Sequence, residues 1–366
     1  MVGLKMLSRR QALSGSAALI GTLASGALAM GRAKAAPGFH GSQRVPYGSC
    51  VAFGPLQNEP DYRGALTAYC QQLTPEWGFN WDYVQPAPSQ FNFDFADSVL
   101  AFAQANDMTM RGHALVWYAS LPDWAKDIRG AAEAESALTS HVETLVSRYR
   151  GKVKTWHVVN EPLEDPKGGS AASLRQSVWM QNLGEKYIDR AFHLAHQADP
   201  AAELLINEYG IESLDEGSTP KRQALLKLVK DLLGRGVPLH GIGLQGHLLD
   251  KYEIDTSGTH DFVSEIRSLG LSVHITELDV VDDSLPGAIP ARDAVVAARA
   301  YDFLDAVFAA ARPSMVGTWG ITDRHTWVPM YHKRADGLIN RPLPLDDHYR
   351  PTPLWSVINY FCQQIA

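Results

Sequence analysis

Short apolar runs alternate with amphipathic stretches about eight times along this chain, and that rhythm decides the fold class. The runs Val153–Val159, Glu203–Ile206, Ile242–Leu244 and Ser272–Thr276 are too short for helices, and they predict buried strands. Between them the apolar positions change to helical spacing. Leu225, Leu228, Val229, Leu232 and Leu233 recur at i, i+3, i+4, i+7 and i+8. Thr219-Pro220 predicts the cap and first turn of that helix, and Gly234 and Gly236 predict its stop. Met180–Ala198 repeats the pattern, with Leu183, Tyr187, Ile188, Ala191, Leu194 and Ala195 on one face and Asp199-Pro200 at its end. Further helices are predicted at Tyr62–Gln72, Phe95–Asn106, Ala131–Tyr149, Asp261–Leu269, Ala291–Ala311 and Pro353–Ile365.

Strands that alternate with helices over short connections run parallel, because each return needs a crossover helix. Eight such units predict the α/β class and a single closed (β/α)8 barrel over residues 36–366. The length of 366 residues would allow two domains, but no Pro/Gly/Ser-rich linker divides the chain. A formal net charge of -7 without a long basic run argues against nucleic acid or an anionic membrane as partner.

Residues 1–35 read as an export signal. Ser8-Arg9-Arg10-Gln11-Ala12-Leu13 precedes a small-residue apolar run from Ala17 to Met30, and Ala33-Lys34-Ala35 offers a cleavage site. A run so diluted by Gly, Ala and Ser is a poor membrane anchor. The expectation is a twin-arginine signal delivering a folded protein to the periplasm or beyond. Three cysteines, Cys50, Cys70 and Cys362, leave at least one free thiol and form no metal-ligand spacing, so they read as small buried hydrophobes.

In a (β/α)8 barrel, chemistry gathers where the strands end. After the second apolar run comes Glu76, and after the third come His113 and Trp117. Asn160-Glu161 follows the fourth, Asn207 the fifth, Gln245 and His247 the sixth, Glu277 the seventh and Trp319 the eighth. Such a ring of amides, imidazoles, carboxylates and indoles suits a sugar, which presents hydroxyls at its edge and C–H groups on its face. Glu161 and Glu277 follow strands on opposite sides of the barrel. One carboxylic acid and one carboxylate facing each other are what glycoside hydrolysis needs.

At these motifs the chain resembles glycoside hydrolase family 10, the endo-1,4-β-xylanase family. The matching stretches are Gly112–Trp124, Trp156–Pro162, Ile206–Gly210, Gly241–Leu248, His274–Val280 and Thr318–Trp327, in order across the whole mature chain. The resemblance implies Glu161 as acid/base and Glu277 as nucleophile in a retaining reaction on xylan. It implies Asn160 as the amide that binds the sugar's 2-hydroxyl, and His247 as the imidazole that holds Glu277 ionised. His113, Trp117, Gln245, Trp319 and Trp327 are implied to line the cleavage subsite.

Three positions depart from the family pattern. Trp77, Asn80 and Ser120 stand where the family carries asparagine, lysine and glutamine. In the family those polar groups grip the second sugar on the non-reducing side, so a different β-glycan, such as a bacterial exopolysaccharide, stays open as substrate. A carbohydrate-binding protein without catalysis is the remaining alternative, and the retention of both glutamates argues against it. Gly241–Gly246 matches a G-x-G-x-x-G dinucleotide pattern but alternates like a strand and runs into a loop at His247, so no nucleotide is expected. The histidines show no H-E-x-x-H and no His/Cys cluster, so no metal or other cofactor is expected. His157 and His274 lie within strands and read as satisfied core histidines, and Trp156 and Trp355 read as core. The expected partner is a polysaccharide, the expected state a monomer, with no membrane contact after signal cleavage.

Overall fold

The computed structural model describes residues 44–168 and 170–364. The segment read as an export signal lies outside the described residues. The barrel strands are β1 (Tyr47–Val51), β2 (Gln72–Pro75), β3 (Thr109–Gly112), β4 (Val153–Asn160), β5 (Glu203–Glu208), β6 (Gly241–Leu244), β8 (Ser272–Val281) and β9 (Val316–Thr318). All their pairings are parallel. β1 joins β9 and β6 joins β8, which closes the sheet on itself. One further strand, β7 (His247–Leu249), lies against the outer half of β8 and takes no place in the closed ring.

β7 corrects the loop expected at His247. β8 is ten residues long, and β6 covers only its first half, so on that side the backbone beyond Glu277 would lack a neighbouring strand. Gly246, at φ +76°, turns the chain so that His247 comes to lie opposite Asp279. Two helices also differ from expectation. The helix expected over Met180–Ala198 is two, Val178–Leu183 and Lys186–Ala198, parted at Gly184, whose φ of +65° no right-handed helix accepts. The helix over Ser218–Gly234 starts before Thr219, because the Asp215 carboxylate accepts from the backbone N–H groups of Gly217 and Ser218 and so supplies the cap.

Helices follow the strands around the outside, from Pro60–Tyr69 to Pro353–Cys362, and their apolar faces bury against the barrel. Trp156 in β4 shows how tightly. Its ring is fully buried between Phe79 and Tyr149 on the helix side. It also lies directly over Gly112 at the end of β3, where a β-carbon would meet a ring carbon at 2.0 Å. Cys50, Cys70 and Cys362 are all buried and unpaired, as small hydrophobes would be.

Register shifts occur at three strand pairs, β3–β4, β4–β5 and β8–β9, and the last two are bulges that set which side chains reach the mouth of the barrel. Along β4, Thr155 and His157 face inward, yet the register with β5 then skips, with His157 opposite Leu205 and Val159 opposite Ile206. The extra residue shifts the phase, so that Asn160 also turns inward although its number is even. Along β8 the register with β9 skips between Ile275 and Leu278. That lets consecutive Thr276 and Glu277 both reach the interior, where a regular strand would send one of them out.

The packing predicts opposite outcomes for two glycine substitutions. Gly112→Ala should destabilise the protein by about 1–3 kcal/mol, because the Trp156 ring cannot withdraw. Gly64→Ala, on an exposed helical face with nothing within 4 Å of the added carbon, should be neutral or stabilising by up to about 1 kcal/mol. Urea unfolding midpoints of the two variants check this. Equal midpoints would refute the account of the β3–β4 contact.

Candidate active site

The phase shifts bring two carboxyl groups to the mouth of the barrel. Glu161 follows β4 directly, with φ +51°, and Glu277 lies within β8. Both are buried. A buried carboxyl group needs hydrogen bonds, and each receives them. Glu161 accepts from Trp117 Nε1 at 2.9 Å, from Asn160 Nδ2 at 3.1 Å and from Gln245 Nε2 at 3.1 Å. Glu277 accepts from Asn207 Nδ2 at 2.6 Å and lies 3.2 Å from His247 Nε2. Asn207 Nδ2 also donates to Asn160 Oδ1 at 2.8 Å, and Thr276 Oγ1 holds Asn207 Oδ1 at 2.7 Å. One pair of amides thus bridges the two carboxyl groups.

The two environments favour opposite protonation states. Burial pushes Glu161 above the usual carboxylate range, and the negative charge of Glu277 adds to this, against the hydrogen bonds from Trp117 and Gln245. Burial alone would raise Glu277 too. There, however, His113, His247 and Arg111 outweigh it and hold the group below that range. Arg111 is itself buried and is lowered by burial to about 10, so it is charged at neutral pH. Its guanidinium donates to the carbonyl of Thr276 at 2.7 Å and to Thr74 Oγ1 at 3.1 Å.

Two histidines approach Glu277 and differ in charge. His247 is held between carboxylates, with Nδ1 2.9 Å from Asp279 and Nε2 3.2 Å from Glu277. Burial opposes its charge, yet the two acids keep its pKa well above that of an ordinary histidine. Trp327 Nε1 donates to the other oxygen of Asp279 at 2.7 Å, which fixes this relay. His113 lies 3.6 Å from Glu277, but burial first, and then the charges of Arg111 and His247, bring its pKa down to about 4. Its Nδ1 lies 2.8 Å from Nδ1 of His157, a spacing that accommodates one proton between the two rings.

Of the residues singled out at the strand ends, all but Glu76 and Trp319 fall into this one network. Trp319 packs edge-on against His113, with ring centroids 4.9 Å apart. Glu76 lies at the same end of the barrel, partly buried, and burial raises it to about 7. Among the described residues, no hydrogen bond ties its side chain to either carboxyl group. His157, read as a satisfied core histidine, contacts the site through His113, and its Nε2 has no hydrogen-bond partner among the described residues. His274 is a core histidine, buried with Nε2 3.2 Å from Glu203 and away from the carboxyl pair, but it is not a satisfied one, since neither ring nitrogen makes a hydrogen bond among the described residues.

Several members of the site were not picked out from the sequence. Asp279 carried a signal, because it lies two residues after Glu277 on one strand and so faces the same way. Arg111 carried one too, as a charge inside an apolar strand two residues before His113. Arg175 lies outside any helix or strand and carried none. Trp77 packs among Phe53, Tyr83 and Phe95, with ring centroids 4.5–6.0 Å away, so it fills space on the aromatic side of the β2 loop. Asn80 occupies the N-cap position of the short helix Trp81–Val84 without a side-chain capping bond, and Ser120 stands at φ +49°.

The ligand atoms of His113, His157 and Glu277 lie within 4.8 Å of one another, close enough for a metal ion. They are already committed, however. The two imidazoles bond each other, and Asn207 occupies the nearer oxygen of Glu277. The arrangement reads as a hydrogen-bond chain.

The contrast between the histidines can be measured directly. At about pH 6, nitrogen NMR should find His247 as an imidazolium and His113 as a neutral ring. A neutral His247 beside a charged His113 would contradict this assignment of charge.

Comparison with known proteins agrees with this geometry. The sequence profile of glycosyl hydrolase family 10 matches residues 39–360. The endo-1,4-beta-xylanase of Geobacillus stearothermophilus is 35% identical over 311 residues, which cover 80% of this chain and 90% of that protein. Endo-1,4-beta-xylanase B of Thermotoga neapolitana is 33% identical over 80% of each chain. Among solved structures, xylanase 10B from Thermotoga maritima superposes with a TM-score of 0.78 at 31% identity, covering 87% of this chain and 95% of that one. Xylanase 10B from Thermotoga petrophila RKU-1, in complex with xylobiose, gives 0.79 at 30% identity over 87% and 94%. The chain is a glycoside hydrolase, and it belongs to glycosyl hydrolase family 10.

Proposed function

We propose that the chain is a retaining endo-1,4-β-xylanase, with Glu161 as acid/base and Glu277 as nucleophile. One observation carries this reading. Two buried carboxyl groups, bridged by Asn160 and Asn207, are biased toward opposite protonation states. The substrate is supported by the relatives, which are named xylanases, one of them in complex with xylobiose.

The chemistry follows from the two environments. Protonated Glu161 gives its proton to the glycosidic oxygen while the Glu277 carboxylate attacks the anomeric carbon, and the bond to the leaving sugar breaks. The product is a glycosyl ester on Glu277. Glu161, now ionised, takes a proton from water as that water attacks the same carbon, and Glu277 leaves as a carboxylate. Retention calls for the two carboxyl groups to stand about 5–5.5 Å apart. His247 and Asn207 stabilise the charge on Glu277. Asn160 is placed to meet the 2-hydroxyl, and His113, Trp117, Gln245, Trp319 and Trp327 line the cleavage subsite.

Leaving-group dependence separates the two roles. Glu161→Ala should lose roughly 100-fold to 10,000-fold on xylan but far less in the first step on a dinitrophenyl glycoside, whose leaving group needs no proton. It should then show a burst and accumulate the glycosyl ester. Glu277→Ala should fail on both substrates without a burst. The natural enzyme should show a bell-shaped pH profile. Activity falls in acid as Glu277 takes a proton, below the usual carboxylate range, and falls toward alkali as Glu161 loses its own, above that range. A burst in the Glu277 variant, absent from the Glu161 variant, would reverse the assignment.

A second reading, another β-glycan as substrate, is favoured by the surroundings of Trp77. Its ring is engaged with three other aromatic side chains, so the position supplies bulk where the family has an amide. The missing polar partners at 80 and 120 are worth about 0.5–3 kcal/mol each. Asn80→Lys combined with Ser120→Gln restores them without opening a cavity at Trp77. Assayed on xylans, mixed-linkage glucans and bacterial exopolysaccharides, the double variant should raise kcat/KM on unsubstituted xylan. High natural activity on plain xylan that the double variant lowers would eliminate this second reading.

A further inference from the structure

The burial of Glu161 explains its protonation but not its backbone conformation. Its backbone is in the left-handed region, which a residue with a β-carbon avoids unless its neighbours over-determine it. The restraints are specific. The Glu161 N–H donates to the carbonyl of Asn207 at 2.8 Å. The Glu161 carbonyl accepts from Arg175 Nε at 3.0 Å, and the carbonyl of Leu163 accepts from Nη2 of the same guanidinium at 2.6 Å. Arg175 also donates its own backbone N–H to the carbonyl of Pro162 at 2.7 Å. One residue therefore ties three successive carbonyls of the turn that carries Glu161.

Arg175 is itself confined. Its guanidinium lies 4.0 Å from the centre of the Tyr118 ring, and only 11% of its side chain is exposed. A second charged group holds the far side of the turn. Glu208 is fully buried at the end of β5, and its carboxylate accepts the Leu163 N–H at 3.2 Å. Lys221, equally buried, neutralises Glu208 at 3.1 Å. The planar fork serves the two carbonyls with separate nitrogens, Nε and Nη2, at a fixed spacing that the single ammonium of lysine does not reproduce.

We propose that Arg175 is a positioning residue for the general acid, clamping the Glu161 and Leu163 carbonyls so that the Glu161 carboxyl group meets the glycosidic oxygen. This rests on the reading of Glu161 as acid/base. A displacement of about 1 Å is enough to reduce catalysis by two orders of magnitude. The effect should fall on steps that need the proton and spare those that do not.

The test compares Arg175→Gln with the natural enzyme on xylan and on dinitrophenyl β-xylobioside, in each case with and without Glu161→Ala. Arg175→Gln should reduce kcat on xylan on the order of 10- to 100-fold with KM little changed. Its kcat/KM on the dinitrophenyl substrate should fall only about threefold or less, because that value reports the first step and its leaving group needs no acid. In the Glu161→Ala background the same substitution should add almost nothing, since it acts through a group already removed. Arg175→Lys, which keeps the charge and reaches one carbonyl, should recover part of the loss. If Arg175→Gln does not fold, the lysine variant carries the same comparison with a smaller loss. Equal losses on both substrates, or a full additional loss in the Glu161→Ala background, would overturn the proposal. If Glu161→Ala itself fails to discriminate between the substrates, the acid/base reading falls. If it discriminates and Arg175→Gln does not, only the positioning role falls.

Discussion

The site depends on one side-chain amide. Nδ2 of Asn207 donates to the Glu277 carboxylate and to Oδ1 of Asn160, whose own Nδ2 donates to Glu161. Two carboxyl groups removed from water side by side would otherwise repel and lose hydration together. The bridge satisfies both without adding charge, and this leaves the cations free to act unequally. The charges of Arg111 and His247 bear on Glu277, beside the neutral ring of His113, whereas Glu161 receives neutral donors and feels Arg175 as a nearby cation. That asymmetry is what makes one group an acid and the other a base at the same pH. Gly243 is part of the arrangement, because a β-carbon there would come within 2.2 Å of Asn207 Oδ1.

Much of this was legible in the sequence, for identifiable reasons. β4, β5, β6 and β8 are continuous apolar runs because both of their faces are covered, and a polar residue at the end of such a run stands out. Asn160, Glu161, Asn207, Gln245 and Glu277 were visible on that ground. The helices announced themselves through 3.6-residue spacing, and the long ones at Ala131–Arg148 and Ile289–Ala310 lie within a few residues of expectation. Where local signals misled, tertiary contacts had decided. Asp215 moved a cap from Thr219 to Gly217, and the edge of β8 that β6 leaves uncovered recruited His247–Leu249 as a strand.

What the sequence hid is mostly what reaches across the barrel. The His113–His157 contact joins residues 44 apart, and the Arg111 bond to the Thr276 carbonyl spans 165. No periodicity encodes such pairs. Arg175 is the extreme case, an arginine in an irregular segment whose partners are backbone carbonyls of another loop. Glu76 is the converse. Its place after β2 carried the same signal as the others, yet among the described residues its side chain makes no hydrogen bond to either carboxyl group.

The two bulges divide the barrel into storeys. Below them, in β4, Thr155 and His157 face inward and Trp156 packs outward. Above them the parity reverses and Asn160 points in. In β8 the change falls between Thr276 and Glu277. The lower storey obeys the packing of a hydrophobic cylinder, and the upper one is indexed separately. The mouth can therefore exchange its side chains without renumbering the core beneath it. An insertion or deletion of a single residue in the lower half of either strand would, by contrast, carry a glutamate out of the cleft along with everything above it.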